Sequence, residues 1–284
     1  MNRSVIFLRG QWLVFEDIYK FFSLSINSLS ALSHRSAWFA NQDSFNDPFE
    51  GIHKISESYS IEELLGFAES ELVESMNIEP QEARKIVSEK YSDRPDEAEK
   101  SILELVYDMH RVKKEHARNL GVLSTSADIP NHSRSHIFNM LMWSHYGDGL
   151  RGFCINFDAK ELYRSLAELN DESKFSWAKV KYDSKPHLIE LLSVSDDNDF
   201  SYIEALQVKH EQWQYEFECR LFCNKTGLKK FSEKSVKSVY IGEKMSSDNE
   251  SLIIDLIESN YPHAEICKVK IDTESYGIRV GKKI

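Results

Sequence analysis

Between Ser56 and about Asn119 the apolar residues recur at the spacing of an amphipathic helix. Two runs carry the pattern: Ile61, Leu64, Leu65, Ala68 and Leu72, then Ile102, Leu105, Val106 and Met109. Both follow the i, i+3, i+4, i+7 template, which places apolar side chains on one face of a helix. The stretch is also acidic. We therefore expect a helical insertion at about residues 56–119 that covers one side of a sheet.

The rest of the chain carries short stretches with the residue pattern of strands. Predicted strands are Ala37–Ala40, Val122–Ser126, Gly152–Phe157, Ala178–Tyr182, Glu216–Cys223, Val239–Gly242 and Cys267–Ile271, with a helix over His136–Tyr146 that ends at Gly147. No internal repeat and no long Pro/Gly/Ser linker divides the chain. The predicted fold is therefore α+β, with a mixed or antiparallel central sheet, in one domain over residues 1–284.

Length and composition are those of a folded, enzyme-sized domain. The chain has 284 residues, of which 41% are hydrophobic and 12% aromatic, enough to bury a core without metals or crosslinks. No apolar run reaches the roughly 18 residues that a membrane helix needs. Residues 1–10 also lack the pattern of a secretion signal. We therefore expect a cytoplasmic protein without a membrane partner.

Charge and cysteine content narrow the function classes further. The net charge of -11 argues against binding of nucleic acid by general electrostatics, because each phosphate contact needs a cation, but a local basic cleft stays open. Four cysteines are scattered without zinc-type spacing: Cys154, Cys219, Cys223 and Cys267. We expect reduced core thiols and no metal site.

The most informative stretch for chemistry is the predicted strand at Glu216–Cys223. Period-two alternation along an extended strand places Glu216, Glu218 and Arg220 on one face. Two carboxylates that share a face repel each other, which can raise the pKa of one of them. That carboxyl group can then act as an acid, while the cation keeps the other one ionised. The alternative is a solvated strand face with a local ion pair.

A second polar stretch lies around the predicted helix end at Tyr146. Trp143, His145 and Tyr146 precede a glycine-punctuated turn that leads to Arg151. Such a place can stack a flat ring and hydrogen-bond a ligand. The alternative is that Trp143 belongs to the core and that His145 caps buried carbonyls.

Two further segments contribute candidate binding residues. Asn46, Asp47 and Pro48 form an Asx-type turn between two aromatic residues, in a segment that ends at Glu50, which suits a structural corner or a ligand loop. Tyr19 and Lys20 lie near the start of the chain and carry a weaker signal by themselves.

Several catalytic signatures are missing from the chain. It has no Gly-x-Gly-x-x-Gly, no phosphate-binding Walker loop, no Gly-x-Ser-x-Gly elbow and no His-Glu-x-x-His. A dinucleotide-binding sheet of the Rossmann type, a serine hydrolase and a zinc protease are therefore disfavoured.

Taken in order, these blocks resemble a widespread bacterial family catalogued as a domain of unknown function. The likeness spans about residues 17 to 224 and is carried by Tyr19-Lys-Phe, Phe45-Asn-Asp-Pro-Phe-Glu, Leu123-Ser, Met142-Trp-Ser-His-Tyr, Arg151-Gly-Phe-Cys-Ile and Trp213-x-Tyr-Glu-x-Glu-x-Arg220. This resemblance names a family and implies no reaction.

The order of the blocks is also similar to the ADP-ribosyltransferase fold, in which an early strand contacts NAD and a late strand carries a Glu-x-Glu pair. The resemblance implies NAD as substrate and Glu218 as the catalytic carboxylate, with Glu216 orienting the ribose or the acceptor. It also implies binding roles for Tyr19, Lys20, Asn46, Trp143, His145, Tyr146, Arg151 and Arg220. The implied activity is NAD-dependent ADP-ribosylation of RNA, DNA or protein, in a toxin or phage-defence setting.

Two other classes of function stay open at this point. One is a nucleic-acid hydrolase with a polar or metal site formed by Asp47, Glu50, His145, Glu216 and Glu218. The other is a non-catalytic sensor or interaction module whose acidic insertion at residues 56–119 binds an antitoxin or a chaperone.

Overall fold

The computed structural model describes residues 15–91, 93–128, 135–195 and 200–283. The expectation about a secretion signal concerns residues 1–10, which lie outside the described residues. Within the described part, the strands are β1 Asp17–Phe22, β2 Ser36–Phe39, β3 His53–Ser56, β4 Gly121–Ala127, β5 Phe153–Asp158, β6 Phe175–Lys179, β7 Lys181–Asp183, β8 His187–Glu190, β9 Val208–His210, β10 Glu218–Cys223, β11 Gly227–Lys230, β12 Val236–Gly242, β13 Glu265–Asp272 and β14 Gly277–Lys283. The helices are α1 Ile26–Ser33, α2 Ile61–Met76, α3 Pro80–Tyr91, α4 Pro95–Arg118, α5 Met140–His145, α6 Ala159–Leu169, α7 Ser201–Ala205 and α8 Ser247–Asn260.

The chain divides into two compact units. The first, here the sheet unit, comprises the described residues up to Phe45, Leu120–Tyr182, and the described residues from Glu211 onwards. The second, here the helical unit, comprises Asn46–Asn119 and the described residues from Asp183 to His210. The α+β class is confirmed, since a large sheet and several helices are present.

A mixed eight-stranded sheet forms the centre of the sheet unit. Its strand order is β14-β13-β12-β5-β1-β4-β10-β6. Only the β12–β13 pair is parallel, and the other neighbours are antiparallel. The predicted mixed or antiparallel sheet is therefore a mixed one. Since β1 has β5 on one side and β4 on the other, its residues lie in the middle of the sheet.

One sheet face is apolar and is covered by helices. Ile18, Ile155 and Leu221 lie in a buried cluster with Leu32 of α1, and with residues of α6 and α8, namely Leu162, Leu166, Ile253 and Ile257. Helix α6 begins where the Asp158 side chain accepts a hydrogen bond from the Glu161 amide, an N-cap contact that fixes its first turn. This face supplies the main core of the sheet unit.

The opposite face carries a second cluster and the polar residues described below. Tyr19, Phe21 and Cys154 pack there against Ile137, Met142, Trp143 and Leu150, which come from the segment around α5. We call this side of the sheet the Tyr19 face. The predicted helix over His136–Tyr146 is in fact two pieces, a 3₁₀ turn at His136–Phe138 and then α5, because Asn139 begins a new helix by accepting hydrogen bonds from Leu141 and Met142.

The helical unit has its own core. Leu64 and Phe67 of α2 pack with Ile102 and Val106 of α4, and with Leu191 in a 3₁₀ turn. The predicted apolar face is confirmed at Leu64, Ile102 and Val106, whereas Leu105 is 44% exposed. Helix α2 begins with a capping box in which the Ser60 side chain accepts from the Glu63 amide and the Glu63 carboxylate accepts from the Ser60 amide. It ends at Asn77, whose φ of 53° is the left-handed conformation common after helices.

Every predicted strand has somewhat different bounds in the structure; β12, for example, begins at Val236 and not at Val239. Two other differences concern β6 and the late strand β10. In place of the single strand predicted at Ala178–Tyr182 there are two strands: β6 ends before Val180 and β7 begins after it. The late strand begins at Glu218 and not at Glu216, because residues 211–216 form a 3₁₀ turn and Phe217 has a φ of 42°. Extended geometry is therefore broken one residue before Glu218.

All four cysteines are buried and unpaired, which confirms the prediction of reduced core thiols. Burial raises the pKa of the Cys219 thiol to about 12, so this thiol stays protonated and weakly nucleophilic. No helix in the described part of the chain is long and apolar enough to cross a membrane.

Candidate functional site

A row of polar residues crosses the Tyr19 face. The pairing register places Asn156 opposite Tyr19, Tyr19 opposite Ser126, and Ser126 opposite Glu218. Directly opposed residues in antiparallel strands project from the same face. Each of these four residues is buried, with an exposed fraction of 6% or less. Polar side chains from four neighbouring strands are thus aligned where a core would ordinarily be apolar.

Arg220 forms an ion pair with Glu218, the acidic residue at one end of this row. Its Nε donates to Glu218 Oε1 at 2.7 Å and its NH2 donates to Glu218 Oε2 at 3.0 Å. The guanidinium is fully buried, and its centre lies 5.3 Å from the centroid of the Phe45 ring. A bidentate pair of this kind compensates two buried charges and fixes the orientation of the carboxylate. The prediction that Glu218 and Arg220 share a strand face is confirmed.

Glu216 lies outside β10, so strand alternation does not set its position. It ends the 3₁₀ turn before Phe217, is buried, and accepts a short hydrogen bond from the Tyr146 hydroxyl. Tyr146 packs against the cluster on the Tyr19 face. The prediction that Glu216 shares the strand with Glu218 is therefore wrong, because the left-handed backbone at Phe217 ends the extended geometry. The Tyr146 contact nevertheless holds Glu216 by the Tyr19 face.

Helix α5 and its N-cap residue are hydrogen-bonded to Tyr215, the residue before Glu216. Asn139 donates from Nδ2 to the Tyr215 carbonyl at 2.7 Å, and His145 Nδ1 lies 2.7 Å from the Tyr215 hydroxyl. Together with the Tyr146 contact, these bonds set the position of Glu216 from three points. His145 is otherwise exposed, and its ring centroid lies 6.4 Å from that of Trp213.

Tyr19 lies at the middle of the row and is held by its hydroxyl. The hydroxyl lies 2.6 Å from Ser135 Oγ and donates to Asp128 Oδ2 at 3.1 Å. Asp128 Oδ1 also accepts from the His136 amide at 2.5 Å. Burial raises the pKa of Tyr19 well above its ordinary value, so the phenol stays protonated. Tyr19 is therefore a fixed, neutral polar group.

The remaining predicted residues are placed apart from this row. Trp143 is 1% exposed, donates from Nε1 to the Ile137 carbonyl at 2.8 Å, and packs edge-on against Phe21. Lys20 belongs to the opposite face by strand alternation, and its Nζ donates to the Ser124 carbonyl at 2.8 Å. Arg151 is exposed and donates to the Asp148 carbonyl at 3.3 Å.

The Asn46 segment belongs to the helical unit. Asn46 itself is exposed, whereas Asp47 and Glu50 are buried. Asp47 Oδ1 accepts from the Phe49 amide at 3.0 Å, which confirms the predicted Asx-type turn. Glu50 Oε1 lies 3.2 Å from Lys209 Nζ, and both side chains are nearly inaccessible. Among the described residues, no group of three or more His, Cys, Asp or Glu side chains is arranged to hold a metal ion.

Sequence reasoning missed four residues of the Tyr19 face: Asp128, Ser135, His136 and Asn156. Asn156 carried a readable signal, because it is a polar residue between Ile155 and Phe157 in a predicted strand. Asp128 and Ser135 gave no pattern, since their contact with Tyr19 joins segments more than a hundred residues apart.

Comparison with known proteins matches one segment of the chain to a family. Residues 142–221 match the model of a family described as Protein of unknown function (DUF2971). The segment begins within α5, includes Asn156, Glu216 and Glu218, and ends within β10. No curated protein and no solved structure matches the chain.

Proposed function

We propose that the chain is an NAD-dependent ADP-ribosyltransferase whose acceptor is a macromolecule, and that its sheet unit has an ADP-ribosyltransferase-like arrangement. The observation that carries the proposal is the row from Asn156 through Tyr19 and Ser126 to Glu218 on one sheet face. An early strand thereby supplies an aromatic polar residue, and a late strand two positions away in the sheet supplies a fixed carboxylate on the same face.

Buried carboxylates are the second support for the proposal. Glu216 and Glu218 are 3% and 5% exposed, and each is oriented by a hydrogen-bond donor, the Tyr146 phenol or the Arg220 guanidinium. Fixed charges in a water-poor site stabilise a developing opposite charge more strongly than mobile charges in water do. Orienting two carboxylates in this way suits a reaction that develops positive charge.

Cleavage of the nicotinamide–ribose bond is such a reaction. The bonding electron pair passes to the nicotinamide nitrogen, and positive charge develops on the ribose ring until the acceptor's nucleophile bonds to C1′ and releases its proton. In this proposal the Glu218 carboxylate faces the developing charge, and Glu216 orients the acceptor or a ribose hydroxyl. Tyr19 remains neutral and contributes its ring and hydroxyl to the wall of the site.

The test measures nicotinamide release from NAD and transfer of labelled ADP-ribose to RNA, DNA and protein from a cell extract. Glu218→Gln and Glu216→Gln keep the shape of each side chain and remove its charge. Glu258→Gln, on an exposed part of α8, is the matched control. We expect a loss of about a hundredfold or more for Glu218→Gln, the size seen when a fixed charge-stabilising group is removed, and unchanged activity for the control.

Because Glu218→Gln removes the carboxylate from a buried ion pair with Arg220, the melting temperature of each variant is measured beside its activity. Glu216→Gln gives a second reading, at a carboxylate that accepts a hydrogen bond from the Tyr146 phenol. The proposal fails if the wild-type protein neither consumes NAD nor transfers ADP-ribose in the presence of the extract. It also fails if both folded variants match the control.

A further inference from the structure

Two buried side-chain atoms of uncharged residues next to Tyr19 have no hydrogen-bond partner among the described residues. They are Asn156 Oδ1 and His136 Nε2. Asn156 is 6% exposed and His136 is 4% exposed. Leaving such an atom unpaired costs about 1 to 3 kcal/mol, and folded proteins seldom do it without a reason. A ligand that supplies the missing bonds is one such reason.

Both residues are neighbours of Tyr19. Asn156 is opposite Tyr19 on β5. His136 follows Ser135, whose hydroxyl is bonded to the Tyr19 hydroxyl, and its own amide donates to Asp128. The imidazole lies between two rings, with centroids 6.4 Å from Phe21 and 6.2 Å from Phe217. The two unpaired atoms therefore both belong to residues next to Tyr19, in the middle of the row that ends at Glu218.

The chemistry of the two atoms selects the kind of group that can bind. One is the oxygen of an amide, and the other is a ring nitrogen of an imidazole. Burial lowers the pKa of His136 to about 4, so its imidazole is neutral at physiological pH. An amide oxygen only accepts hydrogen bonds, so Asn156 Oδ1 needs a donor such as a carboxamide NH₂ or a hydroxyl, which an ionised diphosphate does not offer. A neutral imidazole can donate to or accept from the same groups.

We propose that Asn156 and His136 are ligand contacts, and that Asn156 Oδ1 and His136 Nε2 bind the carboxamide group of the nicotinamide or a ribose hydroxyl of NAD rather than its diphosphate. This inference rests on the proposed function, which it deepens by assigning one end of the substrate to this part of the site. It also explains why two buried polar atoms on an otherwise well-bonded sheet face lack partners in the free protein.

The test uses direct binding, so that it does not depend on turnover. Binding of nicotinamide, adenosine and ADP to the full chain is measured by calorimetry or ligand-observed NMR. Asn156→Leu and His136→Leu remove the two polar atoms. Asn27→Leu and His116→Leu, at exposed positions, are the matched controls. We expect nicotinamide or adenosine to bind, and ADP to bind no more tightly than adenosine. Each site variant should weaken binding at least tenfold.

The melting temperature separates a binding role from a structural one. Replacing an unpaired buried polar atom by an apolar group leaves the free protein as stable as before or more stable. Weaker binding at an unchanged or raised melting temperature supports the inference. Wild-type affinity in both site variants overturns it, and so does a joint fall of affinity and melting temperature.

A wild-type protein that binds only ADP, or none of the three probes, also overturns the inference. The proposed function is judged separately by NAD consumption. A chain that consumes NAD equally well in both leucine variants keeps its function and loses this inference. A chain that binds nicotinamide through these residues without consuming NAD keeps the inference about binding and loses the function.

Discussion

Arg220 and Glu218, two residues apart on β10, form a fully buried bidentate ion pair. Removing one member of such a pair leaves the other charge buried without compensation. We expect Arg220→Met to lower the free energy of unfolding by about 3 to 5 kcal/mol. Arg164→Met breaks an exposed pair with Glu161 on α6 and should change the free energy of unfolding by less than about 1 kcal/mol.

Urea unfolding of the two variants checks this expectation. Combining Arg220→Met with Glu218→Gln should recover part of the loss, because the second change removes the negative charge that faced the guanidinium. Equal stability of Arg220→Met and Arg164→Met would show that the buried pair contributes no more than a surface one.

The parts of the fold that the sequence predicts best depend on local signals. Ser60 and Glu63 form the capping box that begins α2, and the apolar spacing after it matches the buried side of the helix. Within β10, alternation correctly separates Glu218 and Arg220 from Cys219 and Leu221. Such features are set by residues a few positions apart, so they can be read without knowing the tertiary structure.

Features of the candidate site that depend on distant residues could not be read in this way. Alternation assumes an extended chain, and the left-handed backbone at Phe217 violates that assumption between the two glutamates. The opposition of Asn156 and Tyr19 requires β5 to lie beside β1, which follows from the strand order of the whole sheet. Pairings between distant segments have no signature in either segment alone.

His136 should make the stability of the chain fall in mild acid. Burial lowers its pKa from 6.5 to about 4 in the folded protein. Between these two pH values the unfolded chain binds a proton that the folded chain does not, so the free energy of unfolding decreases as pH falls through this window. Above about pH 6.5 both states are neutral at this residue and the effect vanishes.

The size of this effect is obtained from a comparison of variants. The difference in unfolding free energy between the wild-type protein and His136→Leu should change by up to about 3 kcal/mol between pH 6.5 and pH 4. Denaturant unfolding at several pH values measures it. His116→Leu, at an exposed position, should track the wild type throughout. Parallel curves for the wild type and His136→Leu would mean that the imidazole takes up its proton in the folded state as easily as in the unfolded state.

Gly152 allows β1 and β5 to approach closely at the end of the Tyr19 face. A Cβ at this position would lie 2.0 Å from the Phe22 carbonyl oxygen and 3.0 Å from that of Gly147. Both atoms belong to the backbone, so neither can move aside without shifting a strand or a turn. We expect Gly152→Ala to lower the free energy of unfolding by about 1 to 3 kcal/mol, the usual cost of overpacking.

At Gly66, inside α2, we expect substitution by alanine to raise the free energy of unfolding, because an added Cβ meets nothing within 4 Å. Gly66→Ala should stabilise the helix by about 0.5 to 1 kcal/mol, because alanine loses less backbone freedom on folding. Thermal or urea unfolding of both variants gives the two signs in one experiment. A Gly152→Ala variant as stable as the wild type would show that β5 can withdraw from Phe22 at no cost, and the alignment of Asn156 with Tyr19 would then not depend on this close approach.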